Sequence, residues 1–216
     1  MEEDTEMQPQ TRARVSRKKK QEITNWLNAR RDQIESGELV VFFLDECHLL
    51  WGDICGYVWG KTNERIEVPV LNERQKQTYY GALNLYTQKF LIQKYDKGNS
   101  QSTIAFLQYL RSQCPQSRIA LIWDGASYHR SAEVKTYLES VNQQLDELNW
   151  QITCIRFAPN APAQNPVEDV WLQAKRFIRE FYHLCKSFFA VKRLFVLVTH
   201  QQIFDFPKLL MYGVFS

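Results

Sequence analysis

The sequence predicts an α/β domain built on a mixed five-stranded sheet flanked by helices, and three observations lead to it. A continuous apolar run, "ELVVFFLDE" (38–46), is followed by shorter β-rich stretches separated by turn residues and charges, the pattern of an antiparallel meander. From residue 100 the period changes, and helical stripes alternate with two buried strands, "RIALIWD" and "QITCIRFAP", as they do where parallel strands are joined by helices. The length of 216 residues with 44% hydrophobic composition suits one sizeable core with a short appendage.

Taken in order, residues 1–20 hold few apolar side chains and end in "RARVSRKKK", so they read as a disordered basic tail. Residues 21–38 form a linker helix: Ile23, Trp26, Leu27 and Ile34 recur at near-helical spacing until "SGE" stops them. The body, 39–216, opens on the long strand and continues with strands expected at "DICGYVWG", "KQTYYGALNLYT" and "KFLIQKY". Ile104, Leu107 and Leu110 then stripe a helix over 100–112, capped by Ser100 or Ser102. "SAEVKTYLESVNQQLDEL" is the next helix, and from Asn165 onward Val167, Trp171, Ala174, Ile178 and Phe181 trace one apolar face. Meander first and alternation second is the architecture of the ribonuclease H-like fold.

The net charge of +3 is too small to prove a polyanionic partner, because the positive excess sits in a few clusters. The five cysteines are odd in number and form no C-x-x-C pair, which argues for reduced thiols in a cytoplasmic protein and against a zinc site or disulfide framework. The acidic, polar "MEEDTEMQPQ" is no signal peptide, and Lys192 and Arg193 break the longest apolar run near the C-terminus, so no membrane segment is expected.

Two of the strands run into a carboxylate, Asp45 in "VVFFLD" and Asp124 in "ALIWD". Burying such a charge costs several kcal/mol, roughly, unless it is paired or bound to metal, and the carboxyl ends of neighbouring strands in open α/β sheets are where ligands bind. Glu168, delivered by the proline-rich loop of "APNAPAQNPVEDVW", is a third candidate. Three converging carboxylates without a His or Cys ligand suit two-metal phosphoryl transfer, in which hard Mg2+ ions about 3.5–4 Å apart clamp the attacking and leaving oxygens. In that arrangement Asp45 bridges the ions while Asp124 and Glu168 hold one each. The bland alternative is structural: Asp124 ends a strand in a turn, and "NPVE" is also a capping pattern with Asn165 as N-cap, Pro166 at the first helical position and Glu168 reaching back.

"FLDE", "WDGASYH" and "APNAPAQNPVEDVW" resemble the three catalytic blocks of DDE transposases, in the bacterial insertion-sequence branch of the Tc/mariner superfamily. "GYVWGKTNE" and "YYGALN" resemble that branch's second and third strands, so the likeness runs from about Ile23 to about Tyr182. It implies a magnesium-dependent endonuclease and DNA strand transferase, with Mn2+ as a possible substitute, that nicks transposon ends and joins the freed 3′-hydroxyl to target DNA, in that superfamily typically at a TA dinucleotide. The triad it implies is Asp45, Asp124 and Glu168, with Asp169 ranked second. Gly125 stands where many relatives have Asn, and "APAQNPVE" replaces the commoner "SPELNPIE"; neither change removes a ligand. The implied partners are DNA, a second copy of the chain on that DNA, and a helix-turn-helix segment from an upstream reading frame, with a nucleoid-associated cytoplasmic location. A truncated or domesticated remnant that binds DNA without cutting it is the alternative reading.

Other residues read more plainly. Glu46 points to the opposite strand face from Asp45, as a neighbour of the site or a solvated group. His129 either contacts DNA, orients Asp124 or is structural, and His48 beside Cys47 lacks the remaining ligands of a zinc site. Trp51, Trp59 and Trp171 read as core, and "RKKK" as the better candidate for DNA phosphates.

Overall fold

In a computed structural model that describes residues 9–54, 75–159 and 161–214, β1 (Leu39–Leu50), β2 (Lys76–Asn84), β3 (Phe90–Tyr95), β4 (Arg118–Trp123) and β5 (Ile152–Arg156) form one sheet in the order β3-β2-β1-β4-β5. The first three strands are antiparallel neighbours and the last two run parallel to β1, the mixed sheet of the ribonuclease H-like fold. Helices cover both faces, which is why β1 is apolar on successive residues instead of alternating. Val41, Phe43, Cys47 and Leu49 join a core with α1 (Pro9–Asn28), α2 (Arg31–Glu35), α5 (Val167–Glu180), α6 (Phe188–His200) and α7 (Pro207–Leu210). Phe42 and Leu44 face the other way, into a core with α3 (Ser100–Gln113) and α4 (Ala132–Val141).

Several local expectations change. Residues 9–20 are the first turns of α1, not a disordered tail. Between Pro9 and Asn28 no Gly or Pro interrupts a run of good helix formers, and burial of Ile23 and Leu27 at the far end anchors the helix they extend. In the "DICGYVWG" strand, Asp53 and Ile54 close a single 3-10 turn (Trp51–Ile54), and residues 55–60, like the rest of "GYVWGKTNE", lie outside the described residues. "YYGALN" belongs to the second strand of the sheet. The cap of α3 is Asn99, whose extended backbone lets its side chain accept from the Ser102 N–H at 2.9 Å. The helix after Ser131 stops at Val141 because Asn142 turns its amide onto the Ile152 backbone (2.9 and 3.1 Å), fastening the chain to β5.

One difference shapes the site. β1 does not end at Asp45 but continues five residues, paired with β2 as far as Leu50↔Lys76. Its parallel pairing with β4 stops at Phe43↔Ile122, so Asp45 lies just past the point where β1 loses that neighbour. The gap so opened is the position at which loops after β4 and β5 can reach the sheet.

Candidate active site

That gap is a cavity of about 580 Å3 lined by Asp45, Asp124 and Glu168, with Arg130, Arg156 and Asn165 on its walls. Each carboxylate arrives on a different element: Asp45 within β1, Asp124 immediately after β4, and Glu168 on the first turn of α5. The three residues expected from the sequence therefore meet. A groove of about 630 Å3 along α6, against β2 and β3, is slightly larger, but its walls carry Tyr79, Phe189, Leu197 and lysines without a carboxylate or histidine. It offers no chemistry comparable to the smaller cavity.

Two bonds hold α5 against β1. Asn165 donates its side-chain N–H to the Leu44 carbonyl at 3.1 Å, just past the last parallel rung, while its own side-chain oxygen accepts from Val167 N at 3.2 Å. Trp171, one turn after Glu168, donates its indole N–H to Asp45 Oδ2 at 3.1 Å. As the capping pattern expects, Asn165 is extended and its side chain accepts from Val167 N, with Pro166 in αR conformation between them. Glu168 does not reach back, since the Asn165 N–H donates to the Pro162 carbonyl at 3.1 Å, and it faces the cavity instead. The neighbouring Asp169 is committed elsewhere: it is buried, accepts from Lys208 N at 3.0 Å, and pairs with Lys208 Nζ at 3.1 Å.

On the opposite face of β1, Glu46 is the larger surprise. Its side chain is 5% exposed and its carboxylate is bonded to His129 Nε2 at 2.8 Å. The other ring nitrogen of His129 sits 3.0 Å from Asp124 Oδ1, bent away from a straight hydrogen bond, and Trp123 stacks on the ring at 4.2 Å between centroids. His129 therefore bridges β1 to the turn after β4 and orients Asp124, which also accepts the Ala126 N–H at 3.0 Å.

The charges follow from this geometry. Burial, then the carboxylates of Glu168, Glu46 and Asp124, push Asp45 well above the ordinary carboxylate range. Hydrogen bonding from His129 holds Asp124 below that range against the opposing cost of burial. Burial alone would lower His129, but its bonds and charge interactions with Asp124 and Glu46 prevail and raise it to about 9, so the ring is an imidazolium at neutral pH. Glu46, Asp124 and His129 offer ligand atoms within 4.8 Å of one another, but the ring nitrogens of His129 already face Glu46 at 2.8 Å and Asp124 at 3.0 Å, with Trp123 stacked on the ring. The all-oxygen set of Asp45, Asp124 and Glu168 is different. There the like charge of Glu168, Glu46 and Asp124 bears on Asp45, and a hard divalent cation would offset it.

The sequence missed Trp171 as a hydrogen-bond donor, Glu46 as a buried anchor, and the role of Gly81. Gly81 pairs with Asp45 across the sheet, and a Cβ there would lie 2.6 Å from the Trp171 ring, so only glycine leaves the indole room to reach Asp45. His48 is bonded to Thr78 at 3.0 Å and joins no zinc set. Burial raises the thiols of Cys47 and Cys154 to about 12, in keeping with inert cysteines, and Cys47, Cys114, Cys154 and Cys185 are all free. No helix among the described residues is long and apolar enough to cross a membrane.

The sequence profile of the DDE superfamily endonuclease family matches residues 40–188. No curated protein matches the chain. Among solved structures, the fold is similar to that of the mariner Mos1 paired end complex with Mg, at 13% identity and a TM-score of 0.57, covering 96% of this chain and 60% of that one. It is also similar to the Mos1 mariner paired end complex with Mn, at 13% identity and a TM-score of 0.50, covering 91% of this chain and 62% of that one. The chain thus spans about three-fifths of the length of these structures' chains, and at such identity the likeness is one of fold.

Proposed function

Because this chain belongs to the DDE superfamily endonucleases, we propose that it is the catalytic domain of a transposase of the insertion-sequence type, cutting DNA strands and transferring the freed 3′-hydroxyl to target DNA. The observation that carries the proposal is the convergence of Asp45, Asp124 and Glu168, from three separate elements, on one cavity walled by arginines. In this reading residues 39–216 are the catalytic body, and the DNA partner comprises transposon ends and target.

Asp45, Asp124 and Glu168 would hold Mg2+, or Mn2+ in its place, which would supply Lewis-acid activation of the attacking oxygen and stabilisation of the leaving one. The chain's own residues prepare that site. Trp171 and Asn165 fix α5, and with it Glu168, against β1. His129 holds Asp124 in place, and Arg130 and Arg156 set positive charge on the cavity wall, where a phosphodiester would sit. The paired end complexes of Mos1 favour two copies acting together on DNA; in this reading a helix-turn-helix segment from an upstream reading frame would recognise the ends. An intact carboxylate set favours an enzyme over a non-cutting remnant.

The test is nicking of DNA bearing the element's own ends by wild type, Asp45→Asn, Asp124→Asn and Glu168→Gln, with Mg2+, with Mn2+ and with chelator. Cleavage should require metal and fall by orders of magnitude in each variant. Metal-independent cleavage, or three variants as active as wild type, would overturn the proposal.

A further inference from the structure

We propose that the outward face of α1, carrying Arg14, Arg17 and Lys18, is a DNA-backbone surface that continues the active-site cavity; this rests on the transposase reading and says where its DNA lies. Four observations converge on it.

The first is charge. Between Pro9 and Asn28 the sequence has six basic residues and one acidic, Glu22, whereas the whole chain has a net charge of only +3. Outside this helix the charges nearly balance, 21 basic against 23 acidic, four of the acidic ones lying at positions 2–6 just before it, so α1 is a dense local run of positive charge in a chain otherwise close to neutral.

The second is position. Gln164 donates its side-chain amide to Ser16 at both the backbone carbonyl (2.8 Å) and the hydroxyl (2.7 Å). Its neighbours Pro162 and Asn165 line the cavity, so α1 crosses the loop that delivers Glu168 at the cavity's rim. The buried Ile23 and Leu27 continue the same inward face.

The third is orientation. At about 100° per residue, Arg14 and Lys18 fall opposite Ser16, with Arg17 beside them. All three are exposed. Lys19, nearer the inward side, is instead paired with Glu22 at 3.2 Å.

The fourth is the lack of compensation. Among the described residues no carboxylate pairs with Arg14, Arg17 or Lys18, and Arg17 Nε bonds only the Ala13 carbonyl at 3.4 Å. Arg14 and Lys18 are four apart on one helix face, a spacing at which like charges repel, so an anionic partner relieves a strain the fold itself leaves in place. A phosphodiester backbone running from this stripe to Arg130 and Arg156 would meet positive charge on both sides of the carboxylates.

The experiment compares wild type with Arg14→Gln/Arg17→Gln/Lys18→Gln and with a matched control, Lys89→Gln/Lys94→Gln/Lys135→Gln, whose residues are also exposed but lie on a turn, the edge strand and α4. Binding to a linear DNA duplex without transposon ends is measured by anisotropy across salt concentrations, with circular dichroism to verify the fold. Losing three phosphate contacts should flatten the slope of log K against log salt by about 2–3, so that roughly 40-fold less affinity is lost between 50 and 200 mM salt. The control should keep the wild-type slope. In nicking assays the α1 variant should need more DNA for half-maximal rate and keep its rate at saturation. A slope equal to wild type, an equal drop in the control, or no binding of duplex by wild type would overturn the proposal. A wild type that binds DNA with the expected slope but never nicks it would sink the catalytic reading and leave the surface standing.

Discussion

The substitution Gly81→Ala adds one uncharged carbon to the residue paired with Asp45 across the sheet, and the geometry predicts that it disables the site. The new Cβ would lie 2.5 Å from Phe90 Cζ and 2.6 Å from two atoms of the Trp171 ring. Restoring van der Waals contact requires both rings to retreat by about 1 Å or more. Neither is loose: Trp171 packs edge-on against Phe90 at 5.3 Å and stacks on Phe195 at 5.9 Å. Overpacking of this kind costs about 1–3 kcal/mol, offset in part by the roughly 0.4–1 kcal/mol gained when Ala replaces Gly in the unfolded chain. The functional effect is separate. A retreat of about 1 Å takes the indole N–H out of hydrogen-bonding range of Asp45 Oδ2, now 3.1 Å away. A hydrogen bond to a charged group contributes about 1.5–3 kcal/mol, so if orientation of Asp45 matters in the transition state, nicking should fall about 10- to 100-fold. Metal-dependent nicking and calorimetric melting, measured on Gly81→Ala and Trp171→Phe, test this. Trp171→Phe removes the N–H without adding a clash and should reproduce most of the activity loss. A destabilised Gly81→Ala that nicks like wild type would refute the role given to Trp171, and an unchanged melting temperature would refute the packing argument.

Glu168→Gln and Asp169→Asn should dissociate activity from stability: the first loses cleavage by orders of magnitude with little change in melting, while the second leaves Lys208 without its buried partner, costs about 1–3 kcal/mol and keeps cleavage, as nicking and thermal melts on the same samples will show. Because His129 is raised in the folded state to about 9, its stabilisation, on the order of 3 kcal/mol, is fully present below the unfolded value near 6.5, declines above it and is gone above about 9; urea titrations at a series of pH values should show that fall in wild type and a flatter profile in His129→Gln. Asp45 is held well above its ordinary range by burial and the neighbouring carboxylates, so Mn2+ competes there with a proton; affinity by calorimetry should rise with pH in wild type, and Asp45→Asn should remove most of that dependence.

Much of this protein could be read from local pattern. Asp124 announces itself because the apolar run "ALIW" ends on it, although its side chain proves half-exposed, so that His129 and not burial sets its place; Glu168 announces itself because a proline-rich loop puts it in the first turn of a strongly amphipathic helix. The order of strands and helices follows from the change of period near residue 100, since each period reflects which face of an element is buried. Disorder over 9–20 was the wrong inference because composition reports only that a segment cannot bury itself, whereas those turns extend a helix anchored by Ile23 and Leu27 and held to Gln164.

What only the tertiary structure decided are the interactions between residues with no local signature. The Glu46–His129 bond spans 83 positions and the Trp171–Asp45 bond spans 126. A tryptophan on an apolar helix face reads as core whether or not its N–H finds a carboxylate, and a glutamate beside a strand aspartate reads as solvated until a histidine from another strand's turn buries it. Likewise, that β1 runs on past Asp45 while β4 stops is invisible in either strand alone, because it depends on the register between them. The residue types needed for the chemistry are therefore written in sequence. Their orientation is set by packing partners that become neighbours only when the sheet has formed.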